Sequence, residues 1–194
     1  MDIDTPKVWF TSDTHFNHAN IIKYCGRPFA KIEDMDYKII DNWNKVVAEE
    51  DMVIFVGDFG FFKHIKSAEE YTCQLNGSLV PLKGNHDKKW GINAIIESMV
   101  IKHKGTDWYI SHYPEFKFKH NICGHVHEKW KVRKQGDRVS VNVGVDVWDF
   151  TPISMDDIVN ASKKAQRTRK KISRTQPRRI PKYDSGSIRT PICL

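Results

Sequence analysis

Short apolar runs that end in polar residues recur along the first half of the chain. These runs are KVWFTSD at 7–13, MVIFVGD at 52–58 and SLVPLKG at 78–84. Continuous apolar runs of this length are typical of strands buried on both faces, although Pro81 is unusual for a central strand because proline cannot donate to the ladder. Between the runs, residues 34–50 have the apolar spacing of an amphipathic helix, and residues 64–75 are also predicted to be helical. Alternating strands and helices predict a parallel sheet.

The second half of the chain is richer in strands. Strands are predicted at SMVIKHK, DWYISH, NICGH and VSVNVG, which begin at residues 98, 107, 121 and 139. Residues 152–165 are predicted to form a helix with Ser154 as its N-cap. After about residue 162 the apolar pattern ends, so the remaining chain cannot bury much surface. We therefore expect one domain at 1–162, followed by a basic tail at 163–194 that is extended or disordered.

Charge divides the chain at the same place. The net charge is +7, but residues 163–194 contain eleven Lys or Arg and one acidic residue, which leaves −3 for residues 1–162. A basic segment on a mildly acidic body has three interpretations at this stage. The tail is solvated and has no specific role, or it attracts nucleic acid or another polyanion, or it packs as an arm on the body or on a partner subunit.

Composition narrows the class of protein. A chain of 194 residues that is 40% hydrophobic suits a globular domain. No apolar run approaches the roughly 20 residues that span a bilayer, and the N-terminus lacks the features of a signal peptide. The four cysteines, at 25, 73, 123 and 193, are scattered and form no CxxC pair, which favours reduced thiols. We therefore expect a cytoplasmic protein that does not contact a membrane, and the sequence leaves its oligomeric state open.

Polar residues with metal-binding chemistry follow the ends of the predicted strands. They are Asp13, His15, Asp58, Asn85, His86, Asp87, His112, His125 and His127. In an α/β sheet the carboxyl ends of the strands form the crevice where ligands bind, so these residues are expected to converge. Each Asp or Asn alone is explained as readily by a tight turn. Their recurrence at strand after strand favours one shared site.

The spacing within the motifs indicates how metals would be held. Asp13 and His15 are two residues apart, so both would point to one side of an extended segment, and His125 and His127 repeat this spacing. Asp58, at the tip of a buried strand, is suited to bridge two cations. Oxygen and nitrogen ligands without sulfur suit Mn²⁺, Fe, Zn²⁺, Ni²⁺ or Co²⁺ in a site that is not a structural zinc site. A glycine, which allows sharp turns and close backbone approach, precedes a polar residue at Gly57, Gly84 and Gly124.

These motifs resemble those of the calcineurin-like metallophosphoesterases. The family pattern is DxH, GD, GNH[DE], H and GHxH, and this chain has SDTH, VGD, GNHD, SH and GHVH in that order. The match spans Asp13 to His127, and flanking elements extend it to roughly residues 5–162. The phrases SDTHFNHANII and VNVGVDVWDF are similar to the small prokaryotic and phage branch. The resemblance implies an α/β fold, a four-layer α-β-β-α sandwich of two mixed sheets flanked by helices.

The resemblance also implies roles for the motif residues. One metal would be held by Asp13, His15, Asp58 and His127. The second metal would be held by Asp58, Asn85, His112 and His125. His86 would face the substrate as the general acid that protonates the leaving oxygen, and Asp87 would hold His86.

The implied activity is hydrolysis of a phosphate ester with water activated by two divalent metal ions, which are Mn, Fe, Ni, Zn or Co, with Mn²⁺ expected to support activity in vitro. The substrate would be a phosphodiester of cyclic-nucleotide, dinucleotide or nucleic-acid type, or a phosphomonoester. Short loops between the motifs predict an open site without a cap domain, which suits nucleotides or nucleic-acid ends. The alternative is a nucleic-acid-binding or metal-dependent interaction module on the same fold without turnover, and the complete set of motif residues argues against it.

Several other residues have two interpretations each. His18 would contact substrate phosphate or cap a helix, and Arg27 would bind phosphate bidentately or lie on the surface before a turn proline. Three tryptophans would stack on a nucleobase or pack in the core, with the core favoured: Trp90, Trp130 and Trp148. Three further histidines are expected to be structural: His64, His103 and His120.

Overall fold

Two mixed β-sheets form the centre of the computed structural model, which describes residues 5–62, 65–87 and 94–172. The first sheet has the order β3-β2-β1-β9 and the second has the order β4-β5-β6-β8-β7. The first sheet contains β1 (Val8–Thr11), β2 (Met52–Phe55), β3 (Ser78–Pro81) and β9 (Ile153–Ser154). The second contains β4 (Ser98–His103), β5 (Thr106–Ser111), β6 (His120–Cys123), β7 (Val132–Gln135) and β8 (Arg138–Asn142).

Strand direction follows the sequence pattern. Strands β1, β2 and β3 are parallel, as the alternation of strands and helices predicts, and β9 joins β1 in the antiparallel sense. Pro81 is compatible with β3 because β3 is an edge strand of the first sheet. In the second sheet β5, β6 and β8 run parallel to each other, while β4 and β7 are antiparallel to their neighbours. The carboxyl ends of β1, β2, β3, β5 and β6 therefore lead into the loops that carry the motifs.

Two hydrophobic cores lie on opposite faces of the first sheet. On β2, Val53 and Phe55 pack into one core, whereas Ile54 and the following Val56 pack into the other. The first core is covered by the helices α1 (Ala19–Tyr24), α2 (Ile32–Val46) and α3 (Ile65–Thr72). The second core lies between the sheets, where Ile54 packs with Ile110 and Ile122 of the second sheet. The predicted sandwich of two mixed sheets with flanking helices is confirmed.

Helix α4 (Met155–Ile172) contacts strands of both sheets, namely β1 and β9 of the first and β7 and β8 of the second. It therefore closes the sandwich along its β9 and β7 edges. The outer face of the second sheet instead carries a buried polar group of Asn121 and Ser140, and Asn121 accepts a hydrogen bond from the amide of Glu115 at 3.0 Å. The segment 113–119 thus packs on this face of the second sheet.

The start of α4 agrees with its sequence signature, and its end lies further along than predicted. Ser154 Oγ and Asp157 form a reciprocal capping box, with Ser154 N donating to Asp157 Oδ2 at 3.0 Å and Asp157 N donating to Ser154 Oγ at 3.2 Å. The helix continues to Ile172, so residues 163–172 are helical rather than extended. Lys, Arg, Gln and Ala favour helix even where they bury nothing. Residues 173–194 lie outside the described part of the chain, and the division into domain and tail stays a prediction.

The bounds of the other elements differ from the sequence pattern by a few residues. Strand β7 was not predicted, because VRKQ pairs as an edge strand and lacks the apolar run of a central one. Cys25, Cys73 and Cys123 are free thiols. Within the described ranges, no helix combines the length and apolarity needed to cross a bilayer.

A buried carboxyl group links two helices to the loop after β1. Asp36 of α2 accepts hydrogen bonds from Tyr71 Oη at 2.7 Å and from Asn17 N at 3.0 Å. Burial raises the pKa of Asp36 to about 6, and these two hydrogen bonds only partly oppose the shift. Because the folded state then binds a proton more tightly than the unfolded state, the contribution of Asp36 to stability falls as the pH rises from about 4 to about 6.

We expect Asp36→Asn to remove this dependence. We compare the free energy of unfolding of the variant with that of the wild type. The difference, variant minus wild type, should rise by about 3 kcal/mol from pH 4 to pH 7, because only the wild type loses the contribution of Asp36. Urea denaturation of metal-free protein across this range measures the difference, and all other titrating groups cancel. Parallel pH profiles for the two proteins would show that Asp36 titrates normally.

Candidate metal centre

The loops that follow five strands bring the motif residues together at one end of the sandwich. Asp13 and His15 follow β1, Asp58 follows β2, and Asn85 to Asp87 follow β3. His112 follows β5, and the pair at 125 and 127 follows β6. The loops after β1 and β2 remain hydrogen-bonded to each other, with His15 N donating to Asp58 O at 3.2 Å. Residues that are more than 100 positions apart in sequence therefore share one cleft.

The backbone at this cleft is left-handed rather than extended. Positive φ angles occur at five motif residues: Asp13 (56°), His15 (50°), Asp58 (61°), His125 (68°) and His127 (48°). The sequence argument that two residues two apart lie on one side of an extended segment was therefore wrong in its geometry. Left-handed conformations of residues other than glycine are costly and cluster at functional sites. Here they turn each side chain into the cleft directly after its strand ends.

A first cluster of ligand atoms consists of Asp13, His15 and His127, whose atoms lie within 4.8 Å of one another. The rings of His15 and His127 stack with centroids 5.1 Å apart. Asp13 is fully buried, and its carboxylate accepts hydrogen bonds from Ser12 Oγ at 2.6 Å and from His125 N at 3.0 Å. His15 Nε2 is buried and, within the described part of the chain, has no hydrogen-bond partner. A buried, unpaired imidazole nitrogen aimed at carboxylates is the environment that a cation would complete.

A second cluster consists of Asp58, His112 and His125, again within 4.8 Å. Asn85 joins it, since Asn85 Oδ1 lies 2.9 Å from His112 Nε2 and 3.0 Å from His125 Nδ1. These three atoms can each offer a lone pair to a cation, and they surround one small volume: Asn85 Oδ1, His112 Nε2 and His125 Nδ1. All of the residues in both clusters offer nitrogen or oxygen, the donor set of a divalent transition-metal site.

Asp58 lies between the two clusters. Its Oδ2 is 3.7 Å from His15 Nε2 and 3.3 Å from His112 Nε2, and its Oδ1 accepts the amide of His86 at 2.9 Å. Burial alone would raise the pKa of Asp58, but the neighbouring His112 and His15 outweigh burial and lower it to about 2. The carboxylate is therefore charged near neutral pH, which is the form that can bind a cation.

Two of the imidazoles are oriented from behind. His112 Nδ1 lies 2.8 Å from the Val56 carbonyl, and His127 Nδ1 lies 3.0 Å from Asp146 Oδ2. Such partners fix the ring and leave the other nitrogen for a metal. Burial disfavours the charged form of both rings, yet adjacent carboxylates raise the pKa of His112 to about 9 and that of His127 to about 10. Without a metal, these rings hold protons that a cation would displace.

His86 is exposed at the rim of the cleft, with its ring centroid 5.4 Å from that of His15. It belongs to neither cluster. Asp87 does not hold the His86 ring: among the described residues, its carboxylate accepts the amides of Gly84 (2.7 Å), Asp58 (2.9 Å) and Phe59 (3.0 Å). The predicted contact between Asp87 and His86 is thus corrected. Asp87 ties the loop after β3 to the loop after β2, because its side chain is buried beneath them.

Arg27 differs from both roles that the sequence allows for it. It is buried, forms two hydrogen bonds with Asp146 at 2.7 and 3.0 Å, and donates to the carbonyls of Asp13 (2.7 Å) and Thr14 (2.9 Å). Both sequence interpretations, a phosphate ligand and a surface residue, are therefore wrong. Arg27 supports the first cluster, since it holds the backbone at Asp13 and the carboxylate behind His127.

His18 occupies the N-cap position of α1, but its side chain forms no capping hydrogen bond with that described helix. Its ring stacks on Phe61 with centroids 4.9 Å apart and lies 5.6 Å from the His15 ring. Burial and the nearby His86 lower its pKa. A contact between His18 and substrate stays a prediction.

The tryptophans divide as follows. Trp148 packs against the second core, donates to the Asn142 carbonyl at 2.7 Å and has Lys131 over its ring, which agrees with core packing. Trp130 is half-buried and its carbonyl accepts a hydrogen bond from Asn142. Trp90 and His64 lie outside the described residues.

Sequence reasoning missed Asp146 and Ser12 as supporting residues. Asp146 lies in the phrase VNVGVDVWDF, directly after a predicted strand, so its position at a strand end was an available signal. Ser12 precedes the first motif and reads as part of the strand. The partner of Asp146 depends on the fold, because Asp146 contacts Arg27 across 119 positions, whereas Ser12 contacts its neighbour Asp13.

Gly84 provides a test of how tightly the cleft is built. A Cβ at Gly84 would overlap the carboxylate and the amide of Asp58. We expect Gly84→Ala to displace Asp58, to reduce metal binding strongly and to destabilise the protein by about 1–3 kcal/mol. Metal analysis and urea denaturation measure both effects. Gly105→Ala is the matched control: φ is +78° there, but no atom of the described residues lies within 4 Å of the added Cβ, so it should cost about 1 kcal/mol and keep the metal. Full metal content in Gly84→Ala would contradict this account.

Comparisons with known proteins identify a family whose chemistry agrees with the candidate metal centre. The family model described as Calcineurin-like phosphoesterase matches residues 6–164. An uncharacterised protein of Methanocaldococcus jannaschii is 40% identical over 169 residues, which cover 82% of this chain and 93% of that protein. The Gene 66 protein of Mycobacterium phage L5 is 25% identical, over 77% of this chain and 91% of its own length.

A solved structure has a similar fold. A protein of unknown function from Aquifex aeolicus superposes with a TM-score of 0.63 and 27% identity, covering 81% of this chain and 100% of that one. The family match spans both sheets and every motif of the cleft. The chain therefore belongs to the calcineurin-like phosphoesterase family and is a metal-dependent phosphoesterase.

Proposed function

We propose that the protein is a dinuclear metal-dependent phosphohydrolase. The observation that carries this proposal is the position of Asp58, whose Oδ2 lies 3.7 Å from His15 Nε2 in one direction and 3.3 Å from His112 Nε2 in the other. One metal would be held by Asp13, His15, Asp58 and His127. The other would be held by Asp58, Asn85, His112 and His125.

The residues present fit two divalent cations. His15 Nε2 is buried without a hydrogen-bond partner among the described residues, and the carboxylates of Asp13 and Asp58 are buried together at the same cleft. Two buried carboxylates within one cleft are costly unless cations compensate them. The nitrogen and oxygen donor set fits Mn²⁺, Fe, Ni²⁺, Zn²⁺ or Co²⁺, and we expect Mn²⁺ to support activity in vitro.

When bound, such a pair of metals supplies Lewis-acid stabilisation of the phosphoryl oxygens and a nucleophile available near neutral pH. The chain supplies the orientation. Val56 and Asp146 hold the rings of His112 and His127, and Arg27 holds Asp146 in turn. The amide of His125 and the hydroxyl of Ser12 hold Asp13. Little has to move when substrate binds, because these groups are already in place.

His86 is suited to donate a proton to the leaving oxygen. Its side chain is exposed at the cleft, while its backbone amide is anchored on Asp58 at 2.9 Å. The ring is thus free to meet substrate, and its Cα is fixed relative to the bridging carboxylate. General acid catalysis of this kind contributes about 10²- to 10⁴-fold.

The substrate is a phosphate ester, and we propose a phosphodiester over a phosphomonoester, of nucleotide or nucleic-acid type. The basic segment from residue 163 onward would add attraction to polyanions. A nucleic-acid-binding or metal-dependent interaction module without turnover is the alternative, and it predicts no hydrolysis.

The first experiment removes the metals with a chelator and restores Mn²⁺ or Ni²⁺. An aryl phosphodiester and the matching monoester are then compared at equal concentrations. Turnover that is lost on chelation and regained with metal would support the proposal, and the faster ester would set the substrate class. Absence of both bound metal and turnover would overturn it in favour of the binding module.

A further inference from the structure

A pocket of about 420 Å³ opens beside the half of the candidate metal centre that contains Asn85 and His112. These two residues line the pocket, and its other described lining residues include Lys83, Glu97, Tyr109 and Tyr113. The volume lies within the range of roughly 300–1,000 Å³ that small-molecule pockets occupy. Since the pocket shares a wall with the metal-binding cleft, a group in it would be attached to a phosphorus atom held at that cleft.

Tyr113 gives the pocket an aromatic surface. It follows His112 directly and is 50% exposed, which is unusual for a large ring next to a buried centre. Its ring centroid lies 4.5 Å from that of His125 and 5.2 Å from that of His112. Tyr109 forms a further aromatic wall and is held in place by stacking on Phe118 at 3.7 Å. Tyr113 therefore offers a planar group an aromatic ring to stack on beside the proposed metal ligands, and Tyr109 offers a second aromatic wall.

The charges in the pocket argue against a second phosphate. Lys83 Nζ is paired with Glu97 Oε1 at 3.0 Å, so its charge is matched. Glu115, a further lining residue, adds a carboxylate that lies 3.4 Å from Lys117. The described lining thus presents carboxylate acceptors and the hydroxyl of Ser98 without an excess of positive charge. An uncharged group with hydrogen-bond donors, such as the amino or imino groups of a base, fits this lining better than an anion.

The pocket lies away from the proposed general acid. Asn85 lines it, whereas the ring of His86 contacts the His15 side of the cleft, with a centroid distance of 5.4 Å. In an in-line displacement the leaving oxygen must be near the acid that protonates it. A group in the pocket would therefore be the substituent that stays on phosphorus.

We infer that this pocket binds the retained nucleoside of a phosphodiester substrate, with the base stacked on Tyr113. The inference rests on the proposed function, which it narrows from phosphate esters in general to diesters that carry a nucleoside on the retained side. A phosphomonoester substrate has no substituent that stays on phosphorus, so its hydrolysis would not use the pocket, whereas the nucleoside monophosphate product of a diester would still occupy it. Stacking of a base on an aromatic side chain changes binding by about 5- to 150-fold, so a single substitution should have a measurable effect.

The test uses two diesters with the same leaving group, thymidine 5′-(p-nitrophenyl phosphate) and methyl p-nitrophenyl phosphate. The full chain, loaded with Mn²⁺, should have a higher kcat/KM for the nucleoside ester. Tyr113→Ala should lower the ratio of kcat/KM for the nucleoside ester to kcat/KM for the methyl ester by about 5- to 150-fold, while Tyr113→Phe should retain this ratio. Tyr37→Ala, at a tyrosine that is 71% exposed on α2, is the matched control and should change neither.

The outcomes separate the two proposals. Equal rates for both esters, or an equal loss of rate for both in Tyr113→Ala, would contradict nucleoside binding in the pocket. Neither result would contradict the proposed hydrolase activity. Turnover of neither ester would count against the proposed hydrolase activity. A binding measurement then tests the pocket independently of turnover. Saturation-transfer NMR of the metal-free chain should show contact with the base protons of thymidine 5′-phosphate in the wild type and loss of that contact in Tyr113→Ala. No saturation of the base in the wild type would overturn the inference.

Discussion

Asp58→Ala should lose both metals and reduce turnover to background, a fall of about a thousandfold or more. Asp58 is 1% exposed and lies within 4 Å of one histidine from each cluster, so its removal disrupts both sites together. It would also leave the amide of His86 without its acceptor, which disturbs the proposed general acid. Metal stoichiometry by mass spectrometry and hydrolysis of an aryl diester measure the two effects on the same samples.

Controls separate the loss of a ligand from the loss of fold. Asp107→Ala removes an exposed aspartate at a distant hairpin, which pairs with Lys102 at 3.7 Å, and should leave metal content and turnover unchanged. Asp58→Asn keeps the shape and one oxygen acceptor but removes the charge, so it should fold and still bind metal weakly. Two metals retained in Asp58→Ala would show that this carboxylate does not bridge them.

His86→Ala should keep both metals and lose turnover by about 10²- to 10⁴-fold. The ring belongs to neither ligand cluster, and the backbone amide that contacts Asp58 is unchanged in the variant. The loss should be larger for an alkyl diester than for a p-nitrophenyl diester, because a poor leaving group needs the proton more. Rates with both esters, together with metal content, measure this.

His103→Ala is the matched histidine control, since His103 lies at the end of β4 and its partner is Asp156 at 3.8 Å. It should affect neither metal content nor rate. An empty metal site in His86→Ala would show that His86 holds metal. An equal loss on both esters would show that it positions substrate without donating the proton.

Much of the fold follows from local pattern. The apolar runs at 52–58 and 78–84 became β2 and β3, and the helical spacing at 34–50 became α2 at Ile32–Val46. Buried strands and amphipathic helices have a hydrophobic period that a short window reveals. Strand β7 was missed because an edge strand with one half-exposed face carries little of that signal. The extension of α4 to Ile172 was missed because helix propensity leaves no apolar pattern.

The candidate site was predictable in composition and only partly in arrangement. Convergence of the motif residues followed from their positions at strand ends, which meet at one edge in an α/β sheet. Asp87 and Arg27 were assigned contacts that they do not make. Their partners are backbone groups and a carboxylate from distant loops, and Arg27 reaches Asp146 across 119 positions. No local spacing encodes such a partner.

Residue type and order along the chain thus account for the kind of chemistry, the positions of most strands along the chain and the identity of the family. The periodicity of side chains and the ligand preferences of Asp, Asn and His are properties of short segments. The left-handed turns at Asp13 and Asp58, the unpaired nitrogen of His15 and the buried ion pair behind His127 depend on which loops pack together. These features arise from long-range contacts, because burial and hydrogen-bond partners exist only once the two sheets have packed.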